Sequence, residues 1–334
     1  MQQIDPCMFC PVNEDNVLAV WEVTKRCELR CPHCCSNSGN TFMKKDYSDI
    51  SEEEAFRILN MLYEQGFQMV YFSGGEPLLW PHLVKIVEQA LSYGMECYIA
   101  TSGYSQNRET IEKLMRLPVS DFHISLDSYC AEQHDKFRGV HGAFQKALDF
   151  IGICKAHQKV VVTSSIISQD VVKNIDKMLL LLVENQVDRA AFNFLVPLGR
   201  ATSSGGKILP TKEKIQIAEY IWEKGAHYNI PITINRIHHT PTLLKECPAG
   251  KYLAHINAYG EVSPCSWVGK LWDDMIKKPK DTLFDQKLLR VMGRRFAEIR
   301  NAKCGNCEHS SECGKGCPII AYFEDENYDK LCGY

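Results

Sequence analysis

Residues 17–35 read VLAVWEVTKRCELRCPHCC, an apolar segment followed at once by a run of cysteines. Residues 17–23 are predicted to form a β-strand, because apolar and β-branched residues dominate them. The thiols of Cys27, Cys31, Cys34 and Cys35 then fall in a loop. In folds built from alternating parallel strands and helices, the reactive residues lie at the carboxyl ends of the strands. This stretch therefore predicts a thiol-rich site at the end of the first strand.

The same strand-then-helix pattern continues along the chain. Ser51-Glu52-Glu53-Glu54 is typical of a helix N-terminus, and apolar residues recur at helical spacing after it. Strands are predicted at residues 17–23, 68–72, 97–101, 122–126, 160–166 and 190–196. Helices are predicted at residues 51–62, 81–93, 108–116, 143–157 and 172–184. Strands joined in this way by right-handed crossovers predict an α/β fold with a parallel sheet, curled into a partial (β/α)6 TIM-like barrel.

The overall composition excludes several classes of protein. Of the 334 residues, 45% are hydrophobic, and 38 basic against 41 acidic residues give a net charge of -3. This near-neutral balance argues against a nucleic-acid partner. No apolar run approaches the roughly 18 residues of a membrane span. The first residues lack a secretory signal, so the predicted location is the cytoplasm, with no membrane partner.

The number of cysteines, 16, is high for a chain of this length. Disulfide scaffolds that are this rich in cysteine are short and secreted. In a reducing compartment the better explanation is metal, because iron–sulfur clusters use the most thiolate ligands. The predicted domains are a tail at residues 1–16 with Cys7 and Cys10, a barrel at 17–210, a bridging helix and strand at 211–235, and a small, irregular, cysteine-rich iron–sulfur domain at 236–334. The Gly/Ser-rich residues 197–210 are predicted to be a flexible link or lid.

The spacing Cys27-x3-Cys31-x2-Cys34 puts three thiolates on one loop. A 4Fe–4S cluster held by three cysteines keeps one iron with open coordination sites, which can chelate the amino and carboxylate groups of a small molecule. Taken alone, the spacing also permits a zinc site or a chance group of buried thiols. Further polar motifs follow at predicted strand ends and near the same rim, namely Gly74-Gly75-Glu76-Pro77, Ser125-Leu126-Asp127 and Arg138.

In this order, the motifs resemble those of the radical S-adenosylmethionine (AdoMet) enzymes over about residues 17–200. The resemblance implies a catalytic cluster held by Cys27, Cys31 and Cys34, which passes one electron to the sulfonium of AdoMet. Cleavage then gives methionine and a 5′-deoxyadenosyl radical that abstracts a hydrogen atom from the substrate. The implied AdoMet contacts are Gly74, Gly75 and Glu76 for the methionine amino end, Ser125 and Arg138 for the carboxylate or ribose, the backbone near Leu195 for the adenine, and His33 for the adenine face.

The cysteines of the last quarter resemble a SPASM domain, a C-terminal extension with two auxiliary 4Fe–4S clusters. The resemblance implies that the first auxiliary cluster takes Cys247, Cys265 and Cys317. It implies that the second takes Cys304, Cys307, Cys313 and Cys332. The first cluster is then one protein ligand short, so either its iron is open or the place is filled by His238, His239 or Glu246. The spacing alone also permits a structural zinc knuckle.

The predicted function is therefore that of a radical AdoMet enzyme with a SPASM domain and three 4Fe–4S clusters. We expect it to modify a peptide oxidatively, by a thioether or carbon–carbon crosslink. Ser266 follows Cys265 where the sulfatase-maturing branch has an aspartate base, which argues against formylglycine formation. The implied partners are a peptide or small-molecule substrate and an electron donor such as flavodoxin or ferredoxin.

Three other hypotheses stay open from the sequence. The first is an enzyme acting on a small molecule or cofactor, by a dehydrogenation or a step on a haem precursor. The second is a peptide epimerase, in which Cys35 or Cys130 returns a hydrogen atom to the substrate. The third is a zinc-binding interaction module without enzymatic activity.

Overall fold

A computed structural model describes residues 15–39, 47–202, 209–235 and 248–271 of the chain. The strands are β1 (Leu18–Glu22), β2 (Met69–Ser73), β3 (Glu96–Thr101), β4 (Asp121–Ser125), β5 (Val161–Ile166), β6 (Arg189–Asn193), β7 (Ile232–Asn235), β8 (Leu253–Ile256) and β9 (Val262–Ser263). The helices are α1 (Glu52–Glu64), α2 (Leu83–Ser92), α3 (Arg108–Arg116), α4 (Ala131–Arg138), α5 (Ala143–Ala156), α6 (Gln169–Lys173), α7 (Ile175–Glu184), α8 (Thr211–His227) and α9 (Val268–Leu271). This pattern confirms the predicted α/β class.

The strands form one sheet in the order β7-β6-β5-β4-β3-β2-β1-β8-β9. Every neighbouring pair is parallel except β8 and β9, which are antiparallel. The six strands predicted from the sequence correspond to β1–β6, and their sequential order is that of a partial barrel. Within the described residues, β7 and β9 form the two edges of the sheet, so the barrel is open.

The sheet separates two apolar clusters. The larger one lies between the sheet and its surrounding helices and contains Trp21 and Phe72, whose ring centroids lie 6.1 Å apart. The smaller one lies on the inner face and contains Leu18 and Tyr71. Because side chains alternate along a strand, Glu22 at the end of β1 shares this inner face with Leu18. The inner face therefore turns from apolar to polar toward the carboxyl ends of the strands.

Individual helix boundaries follow local signals. The Ser51 hydroxyl accepts a hydrogen bond from the backbone N–H of Glu54 at 3.1 Å, which confirms the predicted N-cap of α1. The single helix predicted at residues 172–184 is wrong at its beginning. A turn of helix, α6, starts after Ser168, whose hydroxyl accepts from the Val171 N–H at 3.2 Å. The chain then breaks at Asn174, whose side chain bonds back to the Asp170 carbonyl at 3.1 Å, and α7 begins after it.

The sheet continues across the predicted domain boundaries. β7, in the bridging segment, pairs with β6, and β8, in the predicted C-terminal domain, pairs with β1. The boundaries themselves stay predictions. The tail cysteines, the proposed stand-in ligands of the first auxiliary cluster and six of the seven auxiliary cysteines lie outside the described residues. No described helix is both long and apolar enough to cross a membrane.

Candidate active site

The cysteine loop, residues 24–39, leaves the carboxyl end of β1 and carries the three cysteines of the predicted cluster. Cys31 is buried, Cys27 and Cys34 are half-buried, and all three are free thiols. They pack together in one small apolar cluster with Leu29 and Ala143. The fold therefore gathers the three predicted ligands at the mouth of the barrel.

Burial dominates the chemistry of these thiols. Burial, reinforced by the Glu76 carboxylate, raises the pKa of Cys27 to about 12. Burial and the neighbouring Cys35 thiol also raise the pKa of Cys34, against the opposing effect of the Arg200 cation. Thiolates withdrawn from water need a positive partner, and metal ions supply one. This donor set therefore fits an iron–sulfur cluster.

The turn after β2 lies against the cysteine loop. The backbone N–H of Gly75 donates to the Thr24 carbonyl at 2.6 Å, and that of Glu76 donates to the Arg26 carbonyl at 2.7 Å. At Gly74 the φ angle is +135°, and a Cβ atom there would stand 2.5 Å from the Thr24 oxygen. Only glycine permits so close an approach. The glycines therefore bring the turn beside the first cysteine.

The carboxylate of Glu76 is buried and held by four hydrogen bonds. Oε1 accepts from the Thr101 hydroxyl at 2.6 Å and from the Leu78 N–H at 3.2 Å. Oε2 accepts from the Ser102 N–H at 2.9 Å and from its hydroxyl at 2.5 Å. Burial raises the pKa of Glu76 above its ordinary value, although these donors oppose the shift. The carboxylate is thus fixed in orientation, and its contact with the methionine amino group stays a prediction.

Helix α4, which the sequence pattern does not mark, brings two residues to the cysteine loop. Arg138 pairs with Asp127 at 2.5 Å, and its Nη1 lies 3.9 Å from the Cys31 sulfur. The ring of His33 stacks on Phe137 with the centroids 4.2 Å apart. Arg138 therefore stands between a buried carboxylate and a predicted cluster ligand. The roles of Arg138 and His33 toward AdoMet stay predictions.

The segment after β6 is hydrogen-bonded to the cysteine loop. Arg200 donates from Nε to the Cys31 carbonyl at 2.9 Å and from Nη1 to the Ser38 carbonyl at 2.8 Å. Its backbone N–H donates to the Cys34 carbonyl at 3.0 Å. Gly199 has a φ of +59°, and a Cβ atom there would stand 2.5 Å from the Cys34 oxygen. This contact makes the beginning of the predicted lid a fixed part of the site.

The remaining predicted AdoMet contacts lie along the same rim. Ser125 ends β4 in register with Ser164 of β5, whose hydroxyl accepts from the Asn193 side chain at 3.1 Å. Leu195 is half-buried just past β6. Ser125, Ser164 and Asn193 form a polar row toward the carboxyl ends of three neighbouring strands. The contacts of Ser125 and Leu195 with AdoMet stay predictions.

Other described thiols are not among the three predicted cluster ligands. Burial raises the pKa of Cys97 and of Cys154 to about 12, as expected for structural thiols. The sulfurs of Cys35 and Cys130 each lie 3.9 Å from a serine hydroxyl. In the described parts of the chain, no group of three or more His, Cys, Asp or Glu side chains is arranged to hold a single metal ion.

An open parallel barrel with desolvated thiols gathered on the loop after its first strand defines a class of iron–sulfur enzymes. Residues 21–182 match the family model of the radical SAM superfamily, so the chain contains a radical SAM domain. It is an enzyme that uses AdoMet and an iron–sulfur cluster.

The chain is similar over nearly its whole length to characterised members of two kinds. It is 26% identical over 343 residues to the AdoMet-dependent heme synthase of Methanosarcina barkeri, covering 96% of each chain. It is 26% identical over 323 residues to the mycofactocin maturase MftC of Mycobacterium tuberculosis, covering 92% of this chain and 79% of that one. The fold is similar to that of Streptococcus suis SuiB bound to the precursor peptide SuiA, with a TM-score of 0.74 at 17% identity over 95% of this chain and 74% of that chain.

When a 4Fe–4S cluster and AdoMet are both bound, the cluster supplies the electron that cleaves the sulfonium of AdoMet. The contribution of the chain is position and charge. The glycine turn permits the close approach at the first cysteine, and the oriented Glu76 carboxylate offers an acceptor to a cationic group. The buried Arg138 places a positive charge beside the Cys31 sulfur. Side chains packed around the loop keep water from the thiols, which protects a radical from side reactions.

Proposed function

We propose that this enzyme modifies a peptide oxidatively, forming a thioether or carbon–carbon crosslink. The observation that carries the proposal is the similarity to the mycofactocin maturase, which extends over 92% of the chain and so beyond the barrel. The fold shared with an enzyme that binds a precursor peptide is compatible with a peptide at this site. A ribosomally made precursor is the substrate class that we favour.

Such a crosslink removes two hydrogen atoms from the peptide. One leaves as an atom to the 5′-deoxyadenosyl radical, and the other leaves as a proton and an electron. The electron requires an acceptor, which we assign to the two auxiliary 4Fe–4S clusters implied by the SPASM resemblance. Cys265, a proposed ligand of the first, lies within the described residues. It packs against the inner-face cluster, and its sulfur accepts from the Val268 N–H at 3.4 Å, which is compatible with a cluster ligand on the inner face of the sheet.

The source of electrons for AdoMet cleavage is proposed to be a small redox protein such as flavodoxin or ferredoxin in the cytoplasm. The fourth ligand of the first auxiliary cluster lies outside the described residues if it is His238, His239 or Glu246. An open iron at that place would bind a substrate heteroatom. A Mössbauer spectrum with a unique iron site that changes when substrate is added supports this arrangement, and a fully thiolate-ligated site excludes it.

A step on a haem precursor is the second candidate function. The observation that favours it is the match to the heme synthase, which covers 96% of both chains. In this case the substrate would be an iron porphyrin with carboxylate side chains. The same radical would take one hydrogen atom from a side chain, the carboxylate would leave as carbon dioxide, and the remaining electron would pass to the proposed auxiliary clusters.

The two candidates are separated by offering both substrates to the anaerobic, reduced enzyme. The peptide to be offered is the product of any short reading frame found beside the gene. Mass spectrometry follows its change in mass. We expect the peptide to lose the mass of two hydrogen atoms per crosslink, in a reaction that requires AdoMet and fails in a Cys34→Ala variant. Loss of carbon dioxide and hydrogen from an iron porphyrin, with an unchanged peptide, would overturn the peptide proposal in favour of the haem precursor.

A further inference from the structure

We propose that Lys270 is a positioning residue for the catalytic cluster, tying the segment after Cys265 to the cysteine loop through Glu22 and Ser36 and balancing with its charge the effect of the Glu22 carboxylate on the reduction potential of the cluster. This inference rests on the cluster held by the cysteine loop. It is independent of whether the substrate is a peptide.

Three side chains from distant parts of the chain meet at one carboxylate oxygen. Glu22 Oε1 accepts from the Lys270 ammonium at 2.5 Å and from the Ser36 hydroxyl at 2.7 Å. The Nε2 atom of His255 lies 3.4 Å from the same oxygen. Lys270 also donates to the Ser36 hydroxyl at 3.2 Å, so lysine, serine and carboxylate close a triangle. We name Glu22, Ser36 and Lys270 the charge tether.

The charge tether connects three structural units. Glu22 ends β1, Ser36 lies two residues beyond Cys34 in the cysteine loop, and Lys270 lies in α9, five residues beyond Cys265. The backbone of Ser36 is held as well, because the Lys25 ammonium donates to its carbonyl at 2.9 Å. The third-cysteine end of the loop is therefore fastened to the segment that carries the proposed auxiliary ligand.

The ion pair between Glu22 and Lys270 is largely buried. The Glu22 side chain is 6% exposed and that of Lys270 is 18% exposed. Burial alone would raise the pKa of Glu22, but Lys270 and His255 together outweigh it and hold that pKa well below the ordinary range. Burial alone would lower the pKa of Lys270, but Glu22, with Cys35 and Cys34 nearby, holds it above the ordinary range. Both groups are therefore charged at neutral pH, and removal of either leaves an uncompensated buried charge.

The position of the pair gives it a second effect. A fixed charge near a cluster thiolate changes the reduction potential, because reduction adds a negative charge to the cluster. The Lys270 ammonium contacts the hydroxyl of Ser36, which lies two residues beyond Cys34 in the cysteine loop. The lysine alone favours the reduced cluster, the glutamate alone opposes it, and the intact pair is nearly balanced. The two single substitutions must therefore shift the potential in opposite directions.

The test is an anaerobic redox titration of the holoenzyme, following the electron paramagnetic resonance signal that changes when AdoMet is added. Lys270→Met leaves the carboxylate unbalanced, and we expect the ratio of reduced to oxidised cluster at a fixed potential to fall about tenfold, a shift of about 59 mV downward. Glu22→Gln leaves the lysine unbalanced and should shift the potential upward. The double variant, with neither charge, should return close to the wild-type potential.

Hydrogen exchange of the loop peptide separates the tether from the charge. All three variants break the triangle, so residues 27–39 should exchange faster in each of them, the double variant included. Lys85→Met is the matched control, because Lys85 makes an ion pair with Glu52 on the surface at 2.8 Å. It should leave both readouts unchanged. Shifts of the potential in the same direction in the two single variants, or unchanged loop exchange in Lys270→Met, would overturn the proposal.

Discussion

Gly199→Ala adds one methyl group at the point where the segment after β6 meets the cysteine loop. The new Cβ atom would stand 2.5 Å from the Cys34 oxygen and 2.6 Å from the Cys35 oxygen. Contacts of this kind are not found below about 3 Å, so the loop or the segment must move by about half an ångström. Metal ligands tolerate displacements of only about 0.2 Å. The substitution should therefore displace Cys34 beyond what a cluster accepts.

The hydrogen bonds that hold this contact are lost in the same movement. The Arg200 bonds to the Cys34 and Cys31 carbonyls, at 3.0 and 2.9 Å, contribute about 1 kcal/mol each. The φ of Gly199, +59°, adds about 1–2 kcal/mol for a side chain in the left-handed region. We expect AdoMet cleavage to fall about tenfold or more, since small misplacements at a reacting centre have effects of that size.

The assay measures iron per chain and the rate of 5′-deoxyadenosine formation under anaerobic reduction. Gly142→Ala is the matched control, because Gly142 has a φ of +82° and no heavy atom within 4 Å of a Cβ. It carries the same backbone cost without the collision, so it should lower the free energy of unfolding by about 1–2 kcal/mol and keep the wild-type rate. A Gly199→Ala rate equal to that of Gly142→Ala would show that the close contact at Gly199 does not position Cys34.

Two further predictions concern the other side of the loop and the barrel interior. A Cβ atom on Gly75 would stand 2.8 Å from the Arg26 carbonyl carbon, so Gly75→Ala should lose iron from the loop. Gly152→Ala is its control, because the space around a Cβ atom at this position of α5 is open. This variant should keep its iron and unfold at a slightly higher urea concentration. Burial, with the Arg189 cation, lowers the pKa of His123 to about 3, so this side chain is neutral in the folded protein. The unfolded chain binds a proton as the pH falls below about 6.5, so stability decreases by about 0.7 kcal/mol between pH 7 and pH 6 from this residue alone. Urea unfolding of His123→Leu should lack that part of the pH dependence, and an unchanged difference from wild type at the two pH values would contradict it.

The sheet and the thiol site were predictable because their signals are local. Each of β1–β6 is an apolar run with its own turn, and Ser51 marks the beginning of α1 by its hydrogen bond to Glu54. The three predicted cluster ligands fall within eight consecutive positions, so any loop conformation keeps them near each other. The carboxyl ends of parallel strands then gather the later motifs on one rim.

Helix α4 was missed because it lacks an apolar stripe. Only His134 and Arg138 of its residues are buried, and both are polar. It forms because the fold places Arg138 against Asp127 and Phe137 against His33, contacts made between segments far apart in the chain. No periodic pattern in the sequence predicts these contacts.

The contacts of Arg200 and Lys270 around the cysteine loop could not be predicted from the sequence for the same reason. Arg200 bonds to a carbonyl 162 positions away, and Lys270 meets Glu22 across 248 positions. A single sequence carries no signal for such pairs, since each residue alone resembles any surface cation. The glycine before Arg200 was the only local sign of a close approach.

The formation of methionine and 5′-deoxyadenosine from AdoMet by the anaerobic, reduced protein is the most direct test that the cysteine loop generates the radical. We expect both products in equal amounts from the wild type, none from Cys27→Ala, and wild-type amounts from Cys97→Ala, whose thiol is buried in β3 away from the loop. Equal product formation by Cys27→Ala and wild type would contradict the assignment of the cysteine loop as the site of radical generation.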